Sequence, residues 1–198
     1  MRTVRLLLEG AEPAFVIAFT FTEKSAAELK ERIEARAAEA DPCFAELPPV
    51  GRGMFIGTMH GWALKALREL GGRYETADAL PEEQEWALLH RVARRLRIVD
   101  LHASLATGCS GPVSTSRAVD AFLRNAEVVH NERIDRAALA TVAPGFAAVL
   151  ERYEWLLDEM RLLPFRLMIA RAADELAHGG RLRARLTGRV RHVLVDEV

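Results

Sequence analysis

Three short apolar runs stand out from a chain that otherwise repeats its apolar positions at helical spacing. The runs are FVIAFTF (15–21), MFIGT (54–58) and VRHVLV (190–195). The first is apolar almost throughout, which is typical of a strand covered on both faces, as in a parallel sheet. Because helical patterns separate the runs, the sequence predicts parallel strands joined by helices.

The segments that follow the first two runs predict helices. From Thr22 onward one face of the pattern is apolar, Ser25 and Glu28 have capping-box spacing, and Asp41-Pro42 ends the helix. After the second run, HGWALKALREL (60–70) predicts a short helix that Gly71-Gly72 stops. The apolar face of the first helix consists of Ala26, Leu29, Ile33 and Ala37.

Residues 76–189 are predicted to be almost wholly helical. Pro81 suits the first position of a helix, Ser114 or Thr115 could cap another, and GCSGP (108–112) predicts a loop. The predicted fold is therefore α/β, a partial parallel sheet with a large all-helical insertion. Its sections are a partial core (1–75), the insertion (76–189) and a returning core strand (190–198).

Composition excludes several classes of protein. Half of the 198 residues are apolar, enough for one sizeable core, or for one domain with an insertion. We expect a cytoplasmic protein, because no apolar run could cross a bilayer and no signal segment opens the chain. Cys43 and Cys109 lack zinc-site spacing, and the six histidines include no i, i+4 pair, so no metal cluster is expected.

The net charge of −1 gives no global attraction to nucleic acid. Arginine nevertheless clusters in RLRARLTGRVRH (181–192). We favour a solvated helix face for this cluster over a stripe that contacts phosphates.

Polar side chains follow each predicted strand, at the edge where parallel α/β sheets bind ligands. An aspartate after a strand can hold magnesium against nucleotide phosphates, and a neighbouring glutamate can polarise water. The same residues could instead be helix caps or ordinary strand ends. The polar positions are Thr20, Thr22, Glu23 and Lys24 after the first run, Gly57, Thr58 and His60 after the second, and Asp196 and Glu197 after the third.

Three segments carry a resemblance to the UvrD/Rep superfamily 1 DNA helicases. AFTFTEKSAAELKERI (18–33) resembles their motif Ia, commonly TFTNKAAxEMxxRI, and IGTMHGWALKALR (56–68) resembles GTFHSxxxxxLR. HVLVDEV (192–198) resembles the start of their Walker B motif, DExQD. Order and spacing agree over essentially the whole chain. The resemblance implies a RecA-like P-loop NTPase sheet (domain 1A) with the helical insertion known as domain 1B.

The same resemblance implies DNA-binding roles. Phe21 would stack against the bases of single-stranded DNA, with Thr20 and Thr22 near the phosphates. Thr58 and His60 would line the DNA path.

For ATP hydrolysis, the resemblance implies that Asp196 helps to bind Mg²⁺ and that Glu197 is the catalytic carboxylate. Trp62 could be a further stacking platform, but its helical neighbours Ala63, Leu64 and Leu67 favour a core role.

The sequence departs from the family pattern in several places. It contains no G-x-x-x-x-G-K-[ST] loop, so we expect the chain to begin just after that loop. It stops before the Gln-Asp that completes Walker B, and it lacks the second motor domain. We therefore expect the remainder of the helicase to be a partner of this chain. Glu23 replaces the usual Asn of motif Ia, and LPFRLMI has Arg166 and Leu167 where acids are usual.

The leading hypothesis is a fragment of an ATP-dependent 3′-to-5′ DNA helicase of repair or recombination. The 198 residues alone are expected to show no ATP-dependent unwinding. The alternative is a non-catalytic helicase relic that binds single-stranded DNA. A third interpretation is a helical interaction module whose strand-end residues are structural.

Overall fold

A computed structural model describes residues 2–40, 53–105, 113–178 and 180–196. The chain divides into two compact units: the first contains Met1–Leu70 and Ala172–Val198, and the second contains Gly71–Arg171. Asp41-Pro42, both cysteines, the predicted GCSGP loop and Glu197 lie outside the described residues. None of the helices in the described ranges is long and apolar enough to cross a membrane.

The strands are β1 (Val16–Thr20), β2 (Phe55–Thr58), β3 (Asp78–Leu80), β4 (Leu162–Pro164) and β5 (His192–Val195). In the described residues the α-helices are α1 (Arg2–Leu8), α2 (Glu23–Ala40), α3 (Met59–Leu70), α4 (Glu82–Val92), α5 (Ile98–Leu105), α6 (Thr115–Asn131), α7 (Arg136–Val142), α8 (Pro144–Glu159), α9 (Phe165–Ala177) and α10 (Gly180–Thr187). All three predicted strands are confirmed, as β1, β2 and β5.

The first unit is built on a parallel sheet with strand order β2-β1-β5. Its registered neighbours Ala18, Ile56 and Leu194 face the core that α1 and α2 cover. The predicted apolar face of α2 is buried against this side of the sheet, and each large aliphatic side chain there contributes about 1.5–3 kcal/mol. The core is formed by Val4, Leu7, Val16, Ala18, Leu29, Ile33, Ala37 and Met54.

Aromatic side chains gather on the other face of the sheet. The Phe19 ring lies 6.2 Å from the Phe55 ring and 5.9 Å from Trp62, edge-on in both cases. A Cβ atom at Gly57 would lie 2.9 Å from the Phe55 ring, which explains why β2 carries a glycine there. Trp62, for which the sequence favoured a core role, is half-buried and packs edge-on against Phe19.

The cap of α2 differs from the prediction. Thr22 Oγ1 accepts a hydrogen bond of 3.0 Å from the Ser25 amide, so Thr22 caps a helix that begins at Glu23. The predicted Ser25–Glu28 capping box is wrong, because Thr22 already fills the capping position. Glu28 lies instead 3.9 Å from Lys24 on the next turn of the helix.

Glycine and proline act at the other helix ends. Gly71 and Gly72 have φ angles of 75° and 63°, which only glycine adopts readily, and they end α3 as predicted. Pro81 is not the first residue of α4 as predicted; it keeps the extended conformation of β3 and precedes Glu82. Ser114 precedes α6, but its side chain makes no capping bond.

The second unit is mostly helical, with one addition to the predicted insertion. Its strands β3 and β4 form a parallel pair in which Ala79 lies opposite Leu163. Each strand has three residues, too few for an alternating pattern to be visible in the sequence. The fully buried side chains of this unit include Leu89, Val119, Leu150 and Tyr153.

Helix α10 groups with the first unit, although the sequence placed residues 76–189 in the insertion. Leu182 is buried, and the Arg185 guanidinium donates to the backbone carbonyl of Glu69 at the end of α3. These contacts attach α10 to the first unit.

Candidate functional site at the carboxyl edge of the sheet

The parallel register brings the three polar strand ends to one edge. Thr20 lies opposite Thr58 in the β1–β2 pair, and Phe19 lies opposite Val195 in the β1–β5 pair. Asp196 continues this alignment, because its amide donates a 2.9 Å hydrogen bond to the Phe19 carbonyl. The predicted convergence of the segments around Phe21, Thr58 and Asp196 is therefore present in the structure.

Hydrogen bonds fix the turn that leaves β1. Thr20 is buried, and its hydroxyl donates to the Thr22 carbonyl at 3.0 Å, while Thr22 caps α2. Between these two residues, the Phe21 side chain is 74% exposed. A turn constrained on both sides thus presents an aromatic ring to solvent.

Thr58 connects the ends of β1 and β2. Its hydroxyl donates to Glu23 Oε1 at 3.0 Å and accepts from the Gly61 amide at 3.1 Å, which caps α3. A Cβ atom at Gly61 would lie 3.2 Å from Thr58 Oγ1, so a glycine permits the close approach. His60 lies exposed in the first turn of α3, beside this cap.

Glu23 brings a negative charge to this edge, where the resembled family usually has a neutral Asn. Its carboxylate is held by Thr58 rather than by a cation, so the charge is not neutralised by this contact. A phosphate that approaches the two caps would meet some repulsion from it.

Asp196 forms an ion pair with Arg32 of α2, with Nη2 3.5 Å from Oδ2. The Asp196 side chain remains 39% exposed, so an approaching ligand could still reach it. Arg32 was not predicted as a site residue. One feature of the sequence could have pointed to Arg32. It belongs to the Arg-Ile pair that ends the segment resembling motif Ia, about three turns from the capped end of α2.

The donor chemistry of Asp196 fits Mg²⁺. Magnesium at nucleotide sites binds one or two carboxylates together with water and phosphate oxygens. Within the described residues, no group of three or more His, Cys, Asp or Glu side chains could hold a metal by itself. Asp196 therefore fits as one carboxylate ligand of a magnesium ion that a phosphate also holds.

The residues present do not fit a complete ATP site. The 198 residues include no G-x-x-x-x-G-K-[ST] loop, whose amides and lysine hold nucleotide phosphates. Lys24 lies near the edge, but its side chain is exposed and its ammonium lies 3.9 Å from Glu28.

The fold and this edge define a parallel α/β domain that carries polar strand ends and two capped helix starts on one side. The family model described as the UvrD/REP helicase N-terminal domain matches residues 1–198. The chain therefore belongs to the UvrD/REP helicase N-terminal domain family, as the motifs predicted. A comparison with curated proteins found no match.

Proposed function

We propose that this chain supplies a single-stranded-DNA contact surface of an ATP-dependent DNA helicase or translocase. In this proposal the motor is of the UvrD/Rep type, moves 3′ to 5′ and acts in DNA repair or recombination in the cytoplasm. The match of residues 1–198 to the UvrD/REP helicase N-terminal domain supports the helicase class. The surface is the carboxyl edge of the sheet, with Phe21 as its stacking platform.

The exposure of Phe21 is the observation that carries this proposal. Because Phe21 is 74% exposed, its ring contributes little to stability by burial. The hydrogen bonds of Thr20 and Thr22 nevertheless fix the turn that carries it. Every base has a flat face, so an exposed ring can stack on any sequence, as a translocating motor needs. Stacking contributes about 1–3 kcal/mol per base.

The starts of α2 and α3 support phosphate contacts beside the ring. Both helices begin at this edge, and the positive ends of their dipoles attract anions. Thr22 and Thr58 cap these starts, and His60 lies in the first turn of α3. In this proposal Thr22, Thr58 and His60 line the path of the DNA backbone past Phe21. Thr20, predicted to lie near the phosphates, is buried and instead holds the turn through its hydrogen bond to the Thr22 carbonyl.

Asp196 would hold Mg²⁺ at the same edge, and Glu197 would act as the hydrolytic carboxylate, as the Walker B resemblance implies. Mg²⁺, when bound, neutralises charge on nucleotide phosphates. Arg32 orients the Asp196 carboxylate through its 3.5 Å ion pair.

Replacing Phe21 with alanine is expected to weaken binding of a fluorescein-labelled oligo-dT about tenfold, because one stacking contact is lost. Fluorescence anisotropy at low salt measures this change. Trp155→Ala is the matched control, since Trp155 is also an exposed aromatic residue but belongs to the second unit. No oligo-dT binding by the wild type, or an equal loss in both variants, would contradict the proposal.

A second candidate function is a non-catalytic module that binds single-stranded DNA. Both candidates share the Phe21 surface, and they differ in nucleotide turnover. We expect no ATP hydrolysis from these 198 residues, because nothing in them replaces the G-x-x-x-x-G-K-[ST] loop. A phosphate-release assay tests this: activity that scales with purified protein and disappears in Glu197→Gln would show that these residues turn over ATP by themselves.

A further inference from the structure

The arginine-rich segment forms a separate charged surface in the first unit. Residues 180–191, GRLRARLTGRVR, contain five arginines and no acid. All five arginines are exposed, and they span α10 and the turn into β5. We call this the arginine surface; it consists of Arg181, Arg183, Arg185, Arg189 and Arg191.

The surface is firmly anchored. Leu182 is 1% exposed, Leu186 is half-buried, and these two residues hold α10 against the unit. Arg185 donates to the Glu69 carbonyl and so has a structural contact. The Arg191 guanidinium lies 4.3 Å from the centre of the Phe15 ring, and a stacked guanidinium keeps its in-plane N–H donors available.

The remaining arginines have no evident structural role. Among the described residues, no carboxylate forms an ion pair with Arg181, Arg183 or Arg189. Arg181 and Arg185 are four residues apart on one helix, where like charges repel. The arrangement therefore costs stability in the free protein, and an anion bound to it would remove that cost.

The arginine surface lies away from the Phe21 edge. The Arg191 amide donates to the Phe15 carbonyl at 2.9 Å, just before β1 and β5 begin. Arg189 and Arg191 are therefore at the amino edge of the sheet, whereas Phe21 and Asp196 follow the carboxyl ends of the same strands.

The sequence alone favoured a solvated helix face for this arginine cluster. From the arrangement of its side chains we propose instead that the arginine surface binds the sugar-phosphate backbone of duplex DNA, at a site separate from the Phe21 edge. Guanidinium groups suit phosphates because their planar forks can donate two parallel hydrogen bonds. The surface offers charge but no open aromatic ring, since Arg191 covers Phe15. A duplex fits such a surface, because its bases are already stacked and its backbone carries one charge per about 1.7 Å.

This proposal goes beyond the single-strand contact and does not depend on it. The test is anisotropy titration of the 198-residue chain with a labelled blunt 20-base-pair duplex, from about 50 to 200 mM salt. The variant R181Q/R183Q/R189Q removes three charges from exposed side chains. We expect at least a tenfold loss of duplex affinity and a salt slope that is smaller by about three.

Two matched variants sharpen the test. R91Q/R94Q/R95Q removes the same charge from exposed arginines of the second unit, and we expect less than a twofold change. R181K/R183K/R189K keeps the charge, and we expect most of the affinity to remain. If the first triple variant fails to fold by circular dichroism, Arg189→Gln outside α10 replaces it, with an expected slope change of about one.

Three results would overturn the proposal: no duplex binding by the wild type, equal losses in both glutamine triples, or displacement of the duplex by polyglutamate at equal charge. The last result would identify an acidic polypeptide as the partner. Oligo-dT binding without duplex binding would overturn this proposal alone, whereas duplex binding without oligo-dT binding would overturn only the Phe21 proposal.

Discussion

Replacing Arg166 with methionine is expected to destabilise the second unit by about 3–5 kcal/mol, because it leaves a buried carboxylate without its cation. Arg166 Nε lies 2.6 Å from Glu85 Oε2, and its Nη1 lies 3.1 Å from Glu127 Oε2. Glu85 is 0% exposed, and the Tyr153 hydroxyl donates to its other oxygen. Burial raises the pKa of Glu85 above its usual value, so the ionised form depends on these two donors.

Urea unfolding measures this loss. In a Trp62→Phe background, the fluorescence of Trp86 and Trp155 reports on the second unit alone. Trp86 is well suited, because its indole donates to Asp120 across two helices at 2.7 Å.

An exposed ion pair of the same unit provides the control. Arg97 lies 3.1 Å from Asp100, with both side chains more than half exposed, so Arg97→Met should cost less than about 1 kcal/mol. The double variant Glu85→Leu with Arg166→Met should recover part of the stability, since no buried charge then remains. A cost for Arg166→Met no larger than that for Arg97→Met would show that Glu85 is not held as a buried ion.

The Glu85 network shows why part of this fold could not be predicted from sequence. Glu85 follows Glu82 and Glu83 in the first turn of α4. Acidic side chains in a first turn usually face solvent, where they interact favourably with the positive end of the helix dipole. Its partners Tyr153 and Arg166 are 68 and 81 residues away in the sequence. Local periodicity contains no information about such contacts. Arg166 stands where the resembled family usually has an acid, and it supplies the cation of this network.

The carboxyl edge of the sheet was easier to predict from the sequence than the Glu85 network. Its three strands follow from apolar runs, and parallel strands must bring their carboxyl ends to one side. The individual contacts at this edge were harder to predict, because several nearby side chains could form each of them. Thr22 caps α2 in place of Ser25, and Asp196 pairs with Arg32, a helical residue that its own pattern places on a solvent face.

Acidification is expected to destabilise the second unit through His130. This side chain is 7% exposed, and burial together with Arg136 and Arg171 lowers its pKa from 6.5 to about 3. Its Nε2 lies 3.2 Å from Glu154 Oε1, but the two groups are not aligned for a hydrogen bond. The same Glu154 oxygen lies 2.6 Å from Arg136 and 3.4 Å from Arg171, so its charge is already compensated.

The sign of the effect follows from proton uptake. Below pH 6.5 the unfolded chain protonates His130, whereas the folded unit keeps the ring neutral until the pH approaches 3. Stability is therefore lost as the pH falls through this window. At 1.36 kcal/mol per pKa unit, the loss from pH 6.5 to pH 4 is about 3 kcal/mol. Glu85 acts in the opposite direction, because its raised pKa favours the folded state as the pH falls toward 4.5.

The contribution of His130 is isolated by comparing the wild type with His130→Gln at each pH. Urea unfolding of the Trp62→Phe protein should give a difference between the two that grows steadily from pH 6.5 to pH 4. Trp62 fluorescence in a Trp86→Phe, Trp155→Phe background is the internal control, because it reports on the first unit and should not respond to His130. If the free energies of unfolding of the two proteins changed in parallel with pH, His130 would be protonated in the folded state without loss of stability. Glu154, rather than the two guanidinium groups, would then determine the charge of the ring.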